Sequence, residues 1–179
     1  MLAVIMAGGR GRRLGGAVKP LIRVCGRAMM ESVAAAAMEA GLGVVVAYSP
    51  ASPGVAEAAA ALGLRGLPTP GLGYSADLRF VWERMGEFLA LPADTPFIRA
   101  SVIEWFLRHA TVRGEGVVTL IREGGCGGRA GGPVGVSFIR SLGGSYSVVE
   151  ACFWPDLLDV DTPDDLREAE ELCRGRTAA

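Results

Sequence analysis

Five apolar residues, Leu2 to Met6, run directly into AGGRGRRLGG, a segment with glycines at 8, 9, 11, 15 and 16, and a lysine, Lys19, follows three residues later. A short apolar run that ends in glycine reads as a buried strand, and a strand that empties into such a loop is an α/β opening. The glycines let the backbone approach a ligand closely and turn its N–H groups inward, which makes an anion-binding concavity. The pattern G-G-x-G-x-R-x-G-G-x-x-K-P-L is neither a P-loop, which needs G-x-x-x-x-G-K followed by Ser or Thr, nor a dinucleotide fingerprint. Lys19 is the only lysine, and the other 17 of the 18 Lys and Arg residues are arginines. A compact ammonium and a broad guanidinium are not interchangeable at a crowded phosphate, so a lone lysine at this point marks chemistry.

The rest of the chain repeats the opening alternation. Ala28 to Ala40 reads as a helix ended by Gly41, Val44 to Ala47 as a strand, Val55 to Leu62 as an alanine-rich helix and Arg65 to Pro68 as a short strand. After GLGYSAD, a helical pattern runs through Leu78, Val81, Trp82, Met85 and Phe88. Pro96 to Ile98 reads as the start of another strand, Ser101 to His109 as a helix and Gly116 to Ile121 as a strand. Gly124 to Gly132 holds six glycines and is expected to be a mobile loop. Val134 to Ile139 and Tyr146 to Phe153 follow as strands, placed near an acceptor site. In DVDTPDDLREAEELC, Thr162 is the expected N-cap and Pro163 the first helical residue, with Asp164 and Asp165 suiting the positive end of the helix. The alternation predicts a mainly parallel sheet with helices on both faces. With neither repeat nor linker, residues 1–179 read as one domain.

Composition narrows the classes. A net charge of −1 gives no argument for nucleic acid, and charges such as Glu31 and Glu39 interrupt every apolar stretch before it could span a membrane. The N-terminus has neither the basic flank nor the cleavage site of an export signal, so a cytoplasmic location is expected. Cys25, Cys126, Cys152 and Cys173 are scattered, without a C-x-x-C pair, and read as reduced structural thiols. The chain contains no Asn and no Gln, which with its Arg, Ala and Pro content hints at a heat-adapted source. His109 reads as a helix-end residue, and Trp82, Trp105 and Trp154 as core or interface residues. Apolar strands and tryptophans in the C-terminal half leave room for a homodimer.

The glycine segment, the turn SPASP at Ser49 to Pro53, GLGYSADL at Gly71 to Leu78 and LDVDTPDDLREAE fall in the order seen in nucleotidyltransferases that join a nucleoside monophosphate to a phosphorylated acceptor. The chain resembles the MobA/CobY-like NTP transferases, and among them the archaeal GTP:adenosylcobinamide-phosphate guanylyltransferases. That resemblance implies a three-layer Rossmann-like nucleotidyltransferase domain, GTP and adenosylcobinamide phosphate as substrates, pyrophosphate as product and Mg²⁺ as cofactor. It places the GTP phosphates against Ala7, Gly8, Gly9, Arg10 and Gly11, with Arg13 and Lys19 reaching the same charges. Molybdopterin is the alternative acceptor, and a non-catalytic nucleotide sensor is the alternative outside enzymes. No protein nucleophile is needed, because in-line attack by an acceptor phosphate is served by positioning and charge neutralisation. With Asn and Gln absent, guanine must be read by backbone groups, hydroxyls or carboxylates.

The resemblance also calls for a metal-binding aspartate just after a central strand. If that strand begins at Pro96, Asp94 precedes it and the carboxylate is missing. Three explanations follow: lost residues, loss of catalysis, or a substitute among Asp77, Asp159 and Asp161. Asp161 is the preferred metal ligand, and its competing role is to satisfy backbone N–H groups at the start of the last helix.

Overall fold

The computed structural model describes residues 1–9, 12–114 and 116–177. Strand β1 (Leu2–Met6) is followed by a two-stranded hairpin, β2 (Arg23–Val24) and β3 (Arg27–Ala28), and by helix α1 (Met29–Glu39). Strand β4 (Gly43–Tyr48), helix α2 (Val55–Ala61), strand β5 (Arg65–Pro68), helix α3 (Tyr74–Met85) and strand β6 (Phe88–Pro92) come next. The chain continues through α4 (Ala100–Ala110), β7 (Gly116–Arg122), β8 (Gly132–Ile139), β9 (Ser145–Ala151) and α5 (Pro163–Thr177).

Seven strands form one sheet in the order β5-β4-β1-β6-β8-β7-β9. β1, β4, β5 and β6 are mutually parallel, β8 runs antiparallel to both β6 and β7, and β9 returns parallel to β7. The two-residue period of a strand divides the core between two faces. Ala3 and Ile5 of β1 point to the side covered by α1, α2 and α4, where Val33, Ala37, Ala59, Ile103 and Phe106 are all buried. Val4 points to the other side, where Val81 and the partly buried Leu78, Trp82 and Met85 of α3 cover the sheet. The result is the three-layer, Rossmann-like arrangement that the alternation of elements predicts. α5 packs at one end, over the β2–β3 hairpin, through Ala169, Leu166 and Leu172. Among the described residues no helix is long and apolar enough to cross a membrane.

The structure corrects three expectations. The first concerns the central strand. Phe88 does not extend the helical pattern of α3, because Gly86, at φ 70°, ends that helix and Phe88 opens β6. Phe88, Leu89, Ala90 and Leu91 are all 0% exposed, and a strand buried on both faces has no alternation to distinguish it from helix. Pro96 to Ile98 is not a strand. It belongs to a turn in which the Ile98 N–H donates to the Thr95 carbonyl at 3.2 Å, and the side chains of Phe97 and Ile98 are buried.

The second concerns the cysteines. They are not free thiols: Cys25 is bonded to Cys173 and Cys126 to Cys152, with Cα atoms 5.3 and 5.4 Å apart. Partners 148 residues apart leave no trace in spacing, since only the folded hairpin brings Cys25 to α5. The third is the glycine-rich loop after β7. Its disulfide and a Glu123 N–H bond of 3.1 Å to the Ala151 carbonyl fasten it to the body, and a short 3₁₀ turn at Cys126–Gly128 with a Gly125 N–H bond of 2.8 Å to the Arg129 carbonyl orders it internally.

Candidate active site

A cleft of about 760 Å³ opens at the C-terminal ends of β1 and β6, the usual ligand position in an open α/β sheet. Gly8 and Gly9 line it from the end of β1, and Pro92, Ala93 and Asp94 from the end of β6. Pro133 to Gly135 of β8 supply another wall, whereas no described residue of β9 lines the cleft. Ala7 is buried, its N–H bonded to the Ala47 carbonyl at 2.7 Å, and the Ser49 hydroxyl donates to the Gly8 carbonyl at 2.9 Å. These bonds hold the start of the glycine loop against the tip of β4. Arg10 and Gly11, also expected at the phosphates, lie outside the described residues.

Lys19 begins a short 3₁₀ turn whose next residue, Pro20, is buried. Its ammonium donates to Asp94 and to Asp161 at once, and its side chain is 14% exposed. Burial pulls the pKa of this amine down, but the two carboxylates outweigh it and the group sits above its ordinary value, firmly protonated. Asp94 is displaced in the same direction for a different reason. Burial pushes its carboxyl up, Lys19 opposes that push, and the charges on Asp161 and Asp159 reinforce it. One ammonium therefore faces more negative charge than it neutralises.

Asp94 occupies the place just after a central strand where the resemblance calls for an aspartate. It stands two residues beyond the end of β6, because the strand is FLALP and not the stretch starting at Pro96. Its backbone carbonyl accepts the Val160 N–H at 2.9 Å, which joins the two segments that carry the carboxylates. The tetrad FLAL followed by P-A-D carries the signal, but Phe88 falls in the helical period of α3 and masks the start of the strand.

Asp161 does not cap the last helix with its side chain. That task falls to Asp165, whose Oδ2 accepts the N–H groups of Asp161 and Thr162 at 3.0 and 2.8 Å, while the Thr162 hydroxyl accepts the Asp165 N–H at 3.2 Å. This reciprocal cap leaves the Asp161 carboxylate free to meet Lys19. Arg13 also approaches it, at 3.6 Å, with a side chain 74% exposed. Asp159 is paired with Arg122 at 2.9 Å. Asp77 is buried and accepts the Gly71 N–H at 2.9 Å, so it shapes the GLGY turn at the cleft wall. The structure thus brings Arg13, Lys19 and Asp161 together, adds Asp94, and keeps Asp77 and Asp159 on separate partners. His109 and the tryptophans lie elsewhere: the His109 ring is bonded to the Trp105 carbonyl at 2.7 Å, and Trp82 donates to the Arg140 carbonyl at 3.1 Å.

Among the described residues no three His, Cys, Asp or Glu side chains converge as a self-sufficient metal cage. Two hard carboxylates, Asp94 and Asp161, that share one ammonium on the cleft wall fit a divalent cation of the Mg²⁺ type, which keeps waters and takes phosphate oxygens for its remaining positions.

Residues 3–169 match the MobA-like NTP transferase domain. The chain is 28% identical, over 195 aligned residues, to the adenosylcobinamide-phosphate guanylyltransferase of Methanocaldococcus jannaschii, covering 97% of this chain and 98% of that protein. In fold it is similar to CMP:2-keto-3-deoxy-manno-octonic acid synthetase complexed with CTP, with a TM-score of 0.76, 21% identity and 98% of both chains covered. It is also similar to molybdopterin-guanine dinucleotide biosynthesis protein A from Archaeoglobus fulgidus, with a TM-score of 0.73, 18% identity and coverage of 98% of this chain and 100% of that one. A glycine loop at the end of β1, a lysine between two carboxylates and a match across nearly the whole length converge: the chain belongs to the MobA-like NTP transferase family and is a nucleotidyltransferase.

Proposed function

We propose that this enzyme, acting as one domain over residues 1–179, transfers GMP from GTP to adenosylcobinamide phosphate with release of pyrophosphate, in cobamide biosynthesis in the cytoplasm. The observation that carries the acceptor and the base is the near full-length similarity to the Methanocaldococcus guanylyltransferase. An oxygen of the acceptor phosphate attacks the α-phosphorus, the bond from that phosphorus to the bridging oxygen breaks, and pyrophosphate leaves with the electron pair.

The residues suit that chemistry. The N–H groups of Gly8 and Gly9 are offered to the phosphates, while Ala7, whose own N–H is bonded to the Ala47 carbonyl, anchors the start of the loop and does not contact them through that group. Lys19, kept protonated by its neighbours, neutralises charge where two anions must meet, and Arg13 stabilises the leaving pyrophosphate. Asp94 and Asp161 are the residues that would hold Mg²⁺, which when bound neutralises phosphate charge. The position of Asp94 removes the reason for reading the chain as a sensor that lost its metal carboxylate.

The test is pyrophosphate release with GTP and Mg²⁺, with adenosylcobinamide phosphate and molybdopterin supplied in parallel. Release that depends on adenosylcobinamide phosphate supports the proposal. Release that depends on molybdopterin replaces the acceptor, and a preference for another nucleotide replaces the base.

A further inference from the structure

We propose that Arg129 is a positioning residue for nucleotidyl transfer: from the loop between β7 and β8 it fixes the Asp165 carboxylate, which in turn fixes the backbone of Asp161. The inference rests on the reading of Asp161 as a carboxylate of the site. Arg129 Nη2 lies 2.8 Å from Asp165 Oδ1 and 2.6 Å from Glu168 Oε2, and its side chain is 21% exposed. Asp165 thereby divides its two oxygens. Oδ1 meets the guanidinium, and Oδ2 accepts the N–H groups of Asp161 and Thr162 together with the Thr162 hydroxyl, the last at 2.7 Å. A carboxylate with both oxygens committed has no free rotation, so the backbone that it caps is held in one place.

The mounting of Arg129 is itself secured. Cys126–Cys152 ties its loop to the end of β9, and the Arg129 guanidinium stands 5.4 Å from the centre of the Trp154 ring. Gly127 lies against the same ring so closely that a Cβ there would collide with it. A helix-docking role alone would need only the pair with Glu168. The pair with Asp165 is different because it acts on the side chain that accepts the Asp161 N–H. Removing the guanidinium frees Oδ1, lets the carboxylate turn and loosens the cap, and the Asp161 carboxylate then leaves the Lys19 ammonium.

Lys19 is the only lysine, so protein labelled with ¹⁵N-lysine gives a single ammonium resonance that reports on this contact without substrate. Arg129→Met keeps the apolar stem and is expected to displace or broaden that resonance in the same sense as Asp161→Asn, whereas Glu168→Gln leaves it in place. In turnover, Arg129→Met is expected to lower kcat about 10-fold, as loss of an outer-shell partner does, with the KM for GTP little changed. The double variant Arg129→Met/Asp165→Asn should fall no further than the worse single variant, because both cut the same link. All are assayed well below their melting temperatures. An unmoved resonance in Arg129→Met, an equal effect in Glu168→Gln, or additive losses in the double variant overturns the inference. If Asp161→Asn also leaves the resonance unmoved, the Lys19–Asp161 contact fails and takes this inference with it. If Asp161→Asn moves it and Arg129→Met does not, only the role of Arg129 is lost.

Discussion

Asp94 and Asp161 reach the same ammonium from two kinds of mounting. Asp94 sits just beyond β6, a strand with β1 on one side and β8 on the other, so the sheet fixes its approach. Asp161 comes from an irregular segment outside the sheet. It depends on the Val160 N–H bond to the Asp94 carbonyl, the Asp165 cap, the Arg122–Asp159 pair beside it and a disulfide on either side in the chain, at Cys152 and Cys173. A loop can match the definition of a sheet, but only by accumulating side-chain and covalent fasteners.

The comparison breaks first at Asp94. Asp94→Asn is expected to reduce turnover on the order of 10²–10³-fold with little change in melting temperature, because relief of the burial penalty on the carboxylate offsets the loss of its pair with Lys19, which Asp161 still holds. A lower melting temperature in a thermal scan would make Asp94 a structural residue and erase the contrast. Lys19→Ala is expected to weaken GTP binding about 10–100-fold, the worth of a charge-assisted bond, in a direct titration. Lys19→Arg should not restore it, since the gap between the two carboxylates suits a compact ammonium. Affinity at the wild-type level in either variant would remove the account of the lone lysine.

The C-terminal mounting is tested by its covalent links. In the chain-entropy picture the longer loop matters more, so Cys25→Ser/Cys173→Ser is expected to lower Tm by roughly 10–20 °C and Cys126→Ser/Cys152→Ser by roughly 7–14 °C. Scanning calorimetry with and without reductant measures both, and a wild-type Tm indifferent to reductant would return the cysteines to free thiols. The smallest effect belongs to Asp165. Burial alone would raise its carboxyl, but hydrogen bonds from Thr162, Arg129 and the backbone outweigh burial and hold it below the ordinary value. Its contribution to stability is therefore present above about pH 4 and lost as pH falls through the folded value. Asp165→Asn should flatten the dependence of Tm on pH in that acid range, and an unchanged profile would contradict the pairing.

Where local chemistry writes the fold, the sequence was readable. β1 entering glycines, Gly41 ending α1, and Thr162 with Pro163 opening α5 all follow from rules that act within a few residues. What escaped was set by distance or by burial. FLAL carries no period because both its faces are covered, so β6 and the place of Asp94 were lost together. The cysteine pairs, the Arg129 clamp and the convergence on Lys19 of residues 75 and 142 positions away exist only after the sheet has assembled. The identity of Lys19 as an exception could be read from one line of sequence; its partners could not.

The bond between Cys25 and Cys173 has a topological consequence. It joins the turn of the first hairpin to the last helix across 148 residues, so all but the two ends of the molecule form a covalent ring. A single cut by a protease within that ring releases no fragment: under non-reducing conditions the nicked protein remains one covalent molecule, heavier by one water, and it separates only when the disulfides that span the cut are opened. The same closure makes the order of the chain partly dispensable, and a version permuted to begin at an exposed turn inside the ring would keep the hairpin and the last helix tied together.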